Sequence, residues 1–114
     1  MRTAELVDPR GRTWRVEVPA TRRERMRGLR DRGFLPPDHA MFFPRCRSVH
    51  TFGMRFPIKV AFVDARWRVV AVRTMRPGHL ARPRVRARSV LECPADTDLR
   101  PGDVLAGYTL SAAP

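Results

Sequence analysis

The chain has almost no lysine and too few cysteines to form a covalent framework. Of its 114 residues only Lys59 is lysine, against 22 arginines, and only Cys46 and Cys93 are cysteine. The two thiols could pair, but the opening Met-Arg-Thr-Ala-Glu-Leu-Val-Asp holds no apolar run of signal-peptide length. No later window approaches a membrane span. The expectation is a soluble, cytoplasmic protein with reduced thiols. The sequence also lacks a phosphate-cradling glycine loop, a Gly-x-Ser-x-Gly elbow and a pair of carboxylates on one short element, so the common hydrolase chemistries have no residues to work with. It has no internal repeat, low-complexity segment or linker. At this length it is expected to form one domain over residues 1–114.

An apolar content of 43% supports a buried core. Eleven prolines and seven glycines break the chain into short pieces, which favours many short strands over long helices. The net charge of +12 points to nucleic acid, an acidic membrane surface or an anionic ligand. The skew to arginine tempers that inference: a genome rich in G and C produces it without selection for phosphate contact, and charge alone supplies only non-specific affinity.

Thr3 to Val7 and Thr13 to Val18 read as strands around the turn residues Asp8-Pro9-Arg10-Gly11, with Trp14, Val16 and Val18 alternating against Arg15 and Glu17. Thr21 and Glu24 form a capping box that predicts a helix from about Arg22 to Arg30, with Gly33 able to end it and Met26 and Leu29 sharing one face. Gly28 inside that span implies either a close backbone neighbour or a frayed helix. Ala40 to Pro44 reads as a buried strand and Arg45 to Val49 as a loop. Ile58 to Asp64 and Trp67 to Met75 read as a hairpin, Arg76 to Arg84 as an irregular connection, and Ala87 to Cys93 and Val104 to Leu110 as the last strands. The sum is a mainly β domain, an antiparallel β-sandwich or barrel-like fold with one short helix near residues 22–30.

The order of several short motifs is more specific than any of them. Thr21-Arg22-Arg23-Glu24-Arg25-Met26-Arg27-Gly28-Leu29, Arg32, Ala40-Met41-Phe42-Phe43, His50-Thr51-Phe52-Gly53-Met54-Arg55-Phe56-Pro57-Ile58, Val90-Leu91-Glu92 and Gly102-Asp103 together resemble the bacterial and archaeal family called domain of unknown function 192. The resemblance spans about residues 16–110. It implies a small, mostly β domain with a short helix near its start and no established activity. Lys59 stands where the resemblance implies an acidic residue after the Pro-Ile step, and some relatives are exported.

The leading site candidate is the His50 segment, which feeds directly into an apolar strand. A histidine donates and accepts hydrogen bonds and changes charge near neutral pH, which suits ligand recognition. The preferred reading is a non-catalytic binding or interaction module for an acidic small molecule or a protein partner. Arg25 and Arg55 would attract the acid, His50 and Thr51 would orient it, and Phe52 and Met54 would supply apolar contact. The structural alternative is that His50 only pins the strand entry. An enzyme using Cys46 and His50 is the second reading. A polyanion binder is the third, using Arg22, Arg23, Arg25, Arg27 and Arg30 on the helix or Arg84, Arg86 and Arg88 along an extended segment. A metal held by Cys46, His50 and Cys93, with His39 or His79 as fourth ligand, lacks the tight Cys-x2-Cys spacing of recognisable zinc sites. Met26, Met41, Met54 and Met75 with Phe42, Phe43, Phe52 and Phe62 read as core. No cofactor, catalytic residue or metal is assigned, and a monomer or weak dimer is expected.

Overall fold

The computed structural model describes residues 1–111; the last three residues of the domain read from the sequence lie outside them. The elements are β1 (Arg2–Val7), β2 (Thr13–Val18), α1 (Arg22–Arg27), β3 (His39–Pro44), β4 (Val49–His50), β5 (Ile58–Val63), β6 (Val69–Met75), β7 (Leu80–Ala81), β8 (Ser89–Pro94) and β9 (Ala106–Leu110). The fold is mainly β. Seven strands form one sheet in the order β6-β5-β8-β3-β2-β1-β9, and β4 pairs with β7 in a second, two-stranded sheet. All ladders are antiparallel except β2 with β3, where Arg15, Val16 and Glu17 lie beside His39, Ala40 and Met41 in parallel. A parallel neighbour requires a crossover rather than a hairpin, and α1 lies on it.

Both expected hairpins are present, and the same local chemistry turns them. Asp8 accepts the backbone N–H groups of Arg10 (2.9 Å) and Arg12 (3.1 Å). Asp64 accepts those of Arg66 (2.8 Å) and Arg68 (3.0 Å). In each loop the fourth residue takes a positive φ, Gly11 at 86° and Trp67 at 64°. Glycine adopts that conformation freely, whereas tryptophan does so at a cost. Trp67 therefore belongs to the turn, which is why β6 begins two residues later than the sequence pattern suggests. Its ring stacks on Phe42 (5.3 Å) and tilts against Tyr108 (4.8 Å), contacts that offset the backbone strain.

The helix is shorter than the expected span to Arg30. Its capping box forms, with Thr21 Oγ1 accepting from the Glu24 N–H and Glu24 accepting from the Thr21 N–H. The helix then ends at Gly28, whose φ of 52° leaves the right-handed region, so Gly33 has no part in stopping it. Nothing on α1 is buried, and Met26 is 63% exposed. The expected Met26–Leu29 face does not form. Leu29 lies past the turn and is buried in the core.

Alternation along the three central strands builds two cores on opposite faces. Ala40, Phe42, Ala61, Val63, Leu91 and Cys93 join Trp14, Val16 and Leu6 on one face. Met41, Phe43, Val60, Phe62 and Val90 join Leu29, Met54 and Met75 on the other. Three of the four methionines read as core lie in this second cluster, while Met26 and Phe52 are exposed. The sheet curls until residues just before β9 bond back to the start of β6, through Val69 N–H to Asp103 (2.7 Å) and Leu105 N–H to Trp67 (2.8 Å). Among the described residues it does not close into a barrel.

Asp8 also accepts the indole N–H of the fully buried Trp14 at 3.1 Å. Replacing it with alanine removes three bonds to a buried carboxylate and strands the indole. Asp8→Ala is expected to lower unfolding stability by about 2–4 kcal/mol in urea denaturation, and Asp8→Asn by less, because one acceptor oxygen remains.

Candidate functional site

The best-formed pocket is about 180 Å³ and opens between α1 with its following turn, β3, and the segment from Cys46 to Met54. Its lining includes Arg25, Arg27 and Arg30 from the helical side, Phe43 from β3, and Cys46, Val49, His50 and Met54 from the loop and β4. Gly28 lets the chain turn here, its φ excluding most side chains and its backbone lying near the Phe43 ring. Glu92 of β8 completes the lining.

Each polar group around the pocket has a distinct environment. The Arg25 guanidinium donates twice to the Pro44 carbonyl, both at 3.2 Å, which holds it beside β3 and leaves its other N–H groups for a ligand. His50 Nδ1 accepts from the Phe52 N–H at 3.3 Å, and its ring stacks on Phe52 at 5.0 Å. That bond places the proton of the neutral ring on Nε2, making it a donor. The Cys46 thiol donates to the Ser48 carbonyl at 3.1 Å rather than engaging His50. Burial raises its pKa, with Arg25 opposing, so the thiolate needed for nucleophilic chemistry is disfavoured.

Glu92 is the chemically unusual member. It is only 5% exposed and stands on the central strand β8, in register with Met41 of β3 and Val60 of β5. Desolvation pushes its pKa up to about 8, so at neutral pH it holds its proton.

Of the six residues singled out from sequence, the structure brings Arg25, His50 and Met54 to this pocket and leaves Thr51, Phe52 and Arg55 outside its lining. Phe52 is half exposed and supports His50 from behind the ring. Arg55 lies exposed in the turn before β5. Thr51 is fully buried. Its hydroxyl donates to the Arg76 carbonyl (2.6 Å) and accepts the His79 N–H (2.9 Å), while its backbone N–H bonds the His79 carbonyl (2.8 Å). It clamps the 50s segment to the 76–80 connection beside the β4–β7 ladder. Sequence reading gave Glu92 no role of its own. The signal available was the apolar character of Val90, Leu91 and Cys93, which marks a strand buried on both faces and therefore a buried carboxyl.

Other candidates are dispersed. Cys93 lies on the opposite face of the sheet from the pocket, its thiol donating to the Lys59 carbonyl and pushed up to about 12 by burial. Cys46, His50 and Cys93 therefore do not meet, and the described residues contain no cluster of three or more metal-ligating side chains. Lys59 shares the Cys93 face and donates to the Thr97 carbonyl, so this departure from the resemblance falls outside the pocket. The arginine row of residues 84–88 is not extended. Ala87 N–H bonds the Arg84 carbonyl in a turn at 3.0 Å, and the Arg84 guanidinium lies over the Phe62 ring at 5.5 Å. No helix among the described residues is long and apolar enough to cross a membrane.

A carboxyl whose pKa rises from an unfolded value near 4.5 to about 8 on folding binds more protons in the native state between those limits. The cost of ionising it in the core is absent below pH 4.5 and grows as pH rises toward 8, so stability falls across that window. Native protein should therefore show a fall in Tm over that window relative to Glu92→Gln, and parallel curves would show that Glu92 is not shifted. Thr51→Val should cost roughly 1–3 kcal/mol in chemical denaturation, because it leaves buried backbone groups unpaired.

Two solved structures share this architecture. A chain of Sinorhizobium meliloti called a "putative transcription regulator" superposes with a TM-score of 0.76 at 26% identity, over 93% of this chain and 92% of that one. A protein of unknown function from Novosphingobium aromaticivorans gives a TM-score of 0.75 at 20% identity, over 92% of this chain and 84% of the other, a likeness of fold. A UPF0127 protein of Pyrococcus horikoshii is 43% identical over 47 residues, a stretch spanning 41% of each chain. The family model described as Uncharacterized ACR matches residues 5–106, nearly the whole chain, and the protein thus belongs to the DUF192 family.

Proposed function

We propose that the protein is a non-catalytic binding module for a small molecule bearing an acidic group, held in the pocket between α1, β3 and β4. The observation that carries this reading is the meeting of Arg25, His50 and Met54, from separate segments, around one pocket of about 180 Å³. Arg25, Arg27 and Arg30 supply positive potential on the helical side, the Nε2–H of His50 is a directional donor, and Phe43, Val49 and Met54 provide apolar walls. Catalysis by Cys46 is not favoured, because its thiol is raised by burial and bonded to Ser48.

A second reading rests on a different surface. Arg22, Arg23, Arg27 and Arg30 surround the exposed Met26 on the outer side of α1 and could contact a polyanion. The Sinorhizobium meliloti neighbour, called a "putative transcription regulator", makes nucleic acid the polyanion to try. Binding of this kind should be salt-labile and indifferent to sequence.

Isothermal titration against a panel of small organic acids, amino acids and phosphate tests the first reading. A panel member should bind native protein, and His50→Ala should weaken it by about tenfold, the worth of one hydrogen bond to a charged group. Arg66→Ala, which removes a charge elsewhere, should leave affinity unchanged. Equal losses in both variants would make the effect non-local and sink the pocket reading, as would a panel with no binder. Titration with a short single-stranded oligonucleotide tests the second: Arg22→Ala with Arg23→Ala should reduce the slope of log affinity against log salt.

A further inference from the structure

We infer that the pocket takes an amphoteric molecule, whose basic nitrogen meets Glu92 and whose acidic end lies among Arg25, Arg27 and Arg30. This rests on the binding reading above and adds the other half of the ligand.

Glu92 is more than nine-tenths buried, lines the pocket, and makes no side-chain hydrogen bond or ion pair with any described residue. Among the described residues no fully enclosed side-chain nitrogen or oxygen lacks a partner. The carboxyl oxygens of Glu92 must therefore reach the pocket space itself. A buried carboxyl with no partner costs stability, and a protein gains nothing in its core from such a group that leucine would not supply better. Its position is also fixed, because β8 is hydrogen-bonded to β3 on one side and β5 on the other. The side chain cannot leave for bulk water without breaking the centre of the sheet.

A carboxyl at the base of a pocket with apolar walls is complementary to an N–H donor, and most strongly to a cationic nitrogen, which pairs with the ionised form. The helical side carries the opposite demand. A simple acid entering tail first would desolvate Glu92 further, and entering head first it would carry its charge away from the arginines to a carboxyl with only one proton to share. A simple amine would reach Glu92 past three arginines with nothing to offer them. A molecule with both groups satisfies both ends. At neutral pH the free protein holds a proton on Glu92, so an incoming ammonium group displaces it to solvent and binding releases a proton. The other groups around the pocket are Arg25, Arg27 and Arg30, with Arg27 paired to Asp31 at 3.1 Å, together with Cys46 and His50.

The test compares each of glycine, 4-aminobutanoate, 6-aminohexanoate and 4-guanidinobutanoate with its n-alkanoate and its n-alkylamine or alkylguanidine counterpart. Calorimetry at pH 7 in two buffers of different ionisation heat counts the protons released. At least one amphoteric compound should bind ten-fold tighter than both counterparts, release a proton, and lose that advantage in Glu92→Gln. If that variant fails to fold, the comparison of matched ligands on native protein decides alone. An alkanoate that binds as tightly as its amino counterpart, or binding with no proton release, overturns the inference and leaves the acid-binding reading standing. A series in which nothing binds overturns both.

Discussion

The position of β8 governs the rest of the molecule. It is paired on both edges and covered on both faces, so its side chains have no route to solvent except where a neighbouring element leaves a gap. Period-two alternation then assigns Leu91 and Cys93 to one core and Val90 and Glu92 to the other. A shift of one residue would exchange these sets, placing a carboxyl among Trp14 and Phe42 and a thiol at the pocket. The registers to β3 and β5 thus fix the sheet and at the same time choose which chemistry faces the pocket.

The parts of the fold legible in the sequence are those whose cause is local. The Asp8 and Asp64 loops are short, their flanking strands alternate or run apolar, and the capping box at Thr21 is satisfied within four residues. What escaped detection depends on distant partners. The parallel pairing of β2 with β3 is decided by the crossover that carries α1, and no window of sequence records it. The two-residue strands β4 and β7 are too short for any periodicity, so their segments read as loop and irregular connection. The sequence pattern overruns the end of the helix because the effect of Gly28 is geometric: a positive φ ends the helix and turns Leu29 into the core.

Site residues divide along the same line. His50 and Arg25 are chemically conspicuous, and the structure brings both to the pocket lining. Thr51 is conspicuous for the same reason but is consumed by backbone groups of the 76–80 connection, which sequence could not place beside it. Glu92 escaped for the opposite reason: a lone acid in a strand is normally a surface residue. Only its apolar neighbours, read as a strand covered on both faces, distinguish it.

The Thr51 clamp separates the mechanics of the pocket from those of the protein. The wall that carries His50 is joined to its neighbour by the brief β4–β7 ladder and by the bonds of one threonine, whereas Glu92 stands on the most heavily paired strand. The two sides of the cavity therefore belong to cooperative units of very different opening free energy. Amide exchange would run far faster through Val49–Met54 than through Ser89–Cys93, and a visitor would enter by local fraying of one wall while the floor beneath it keeps its shape.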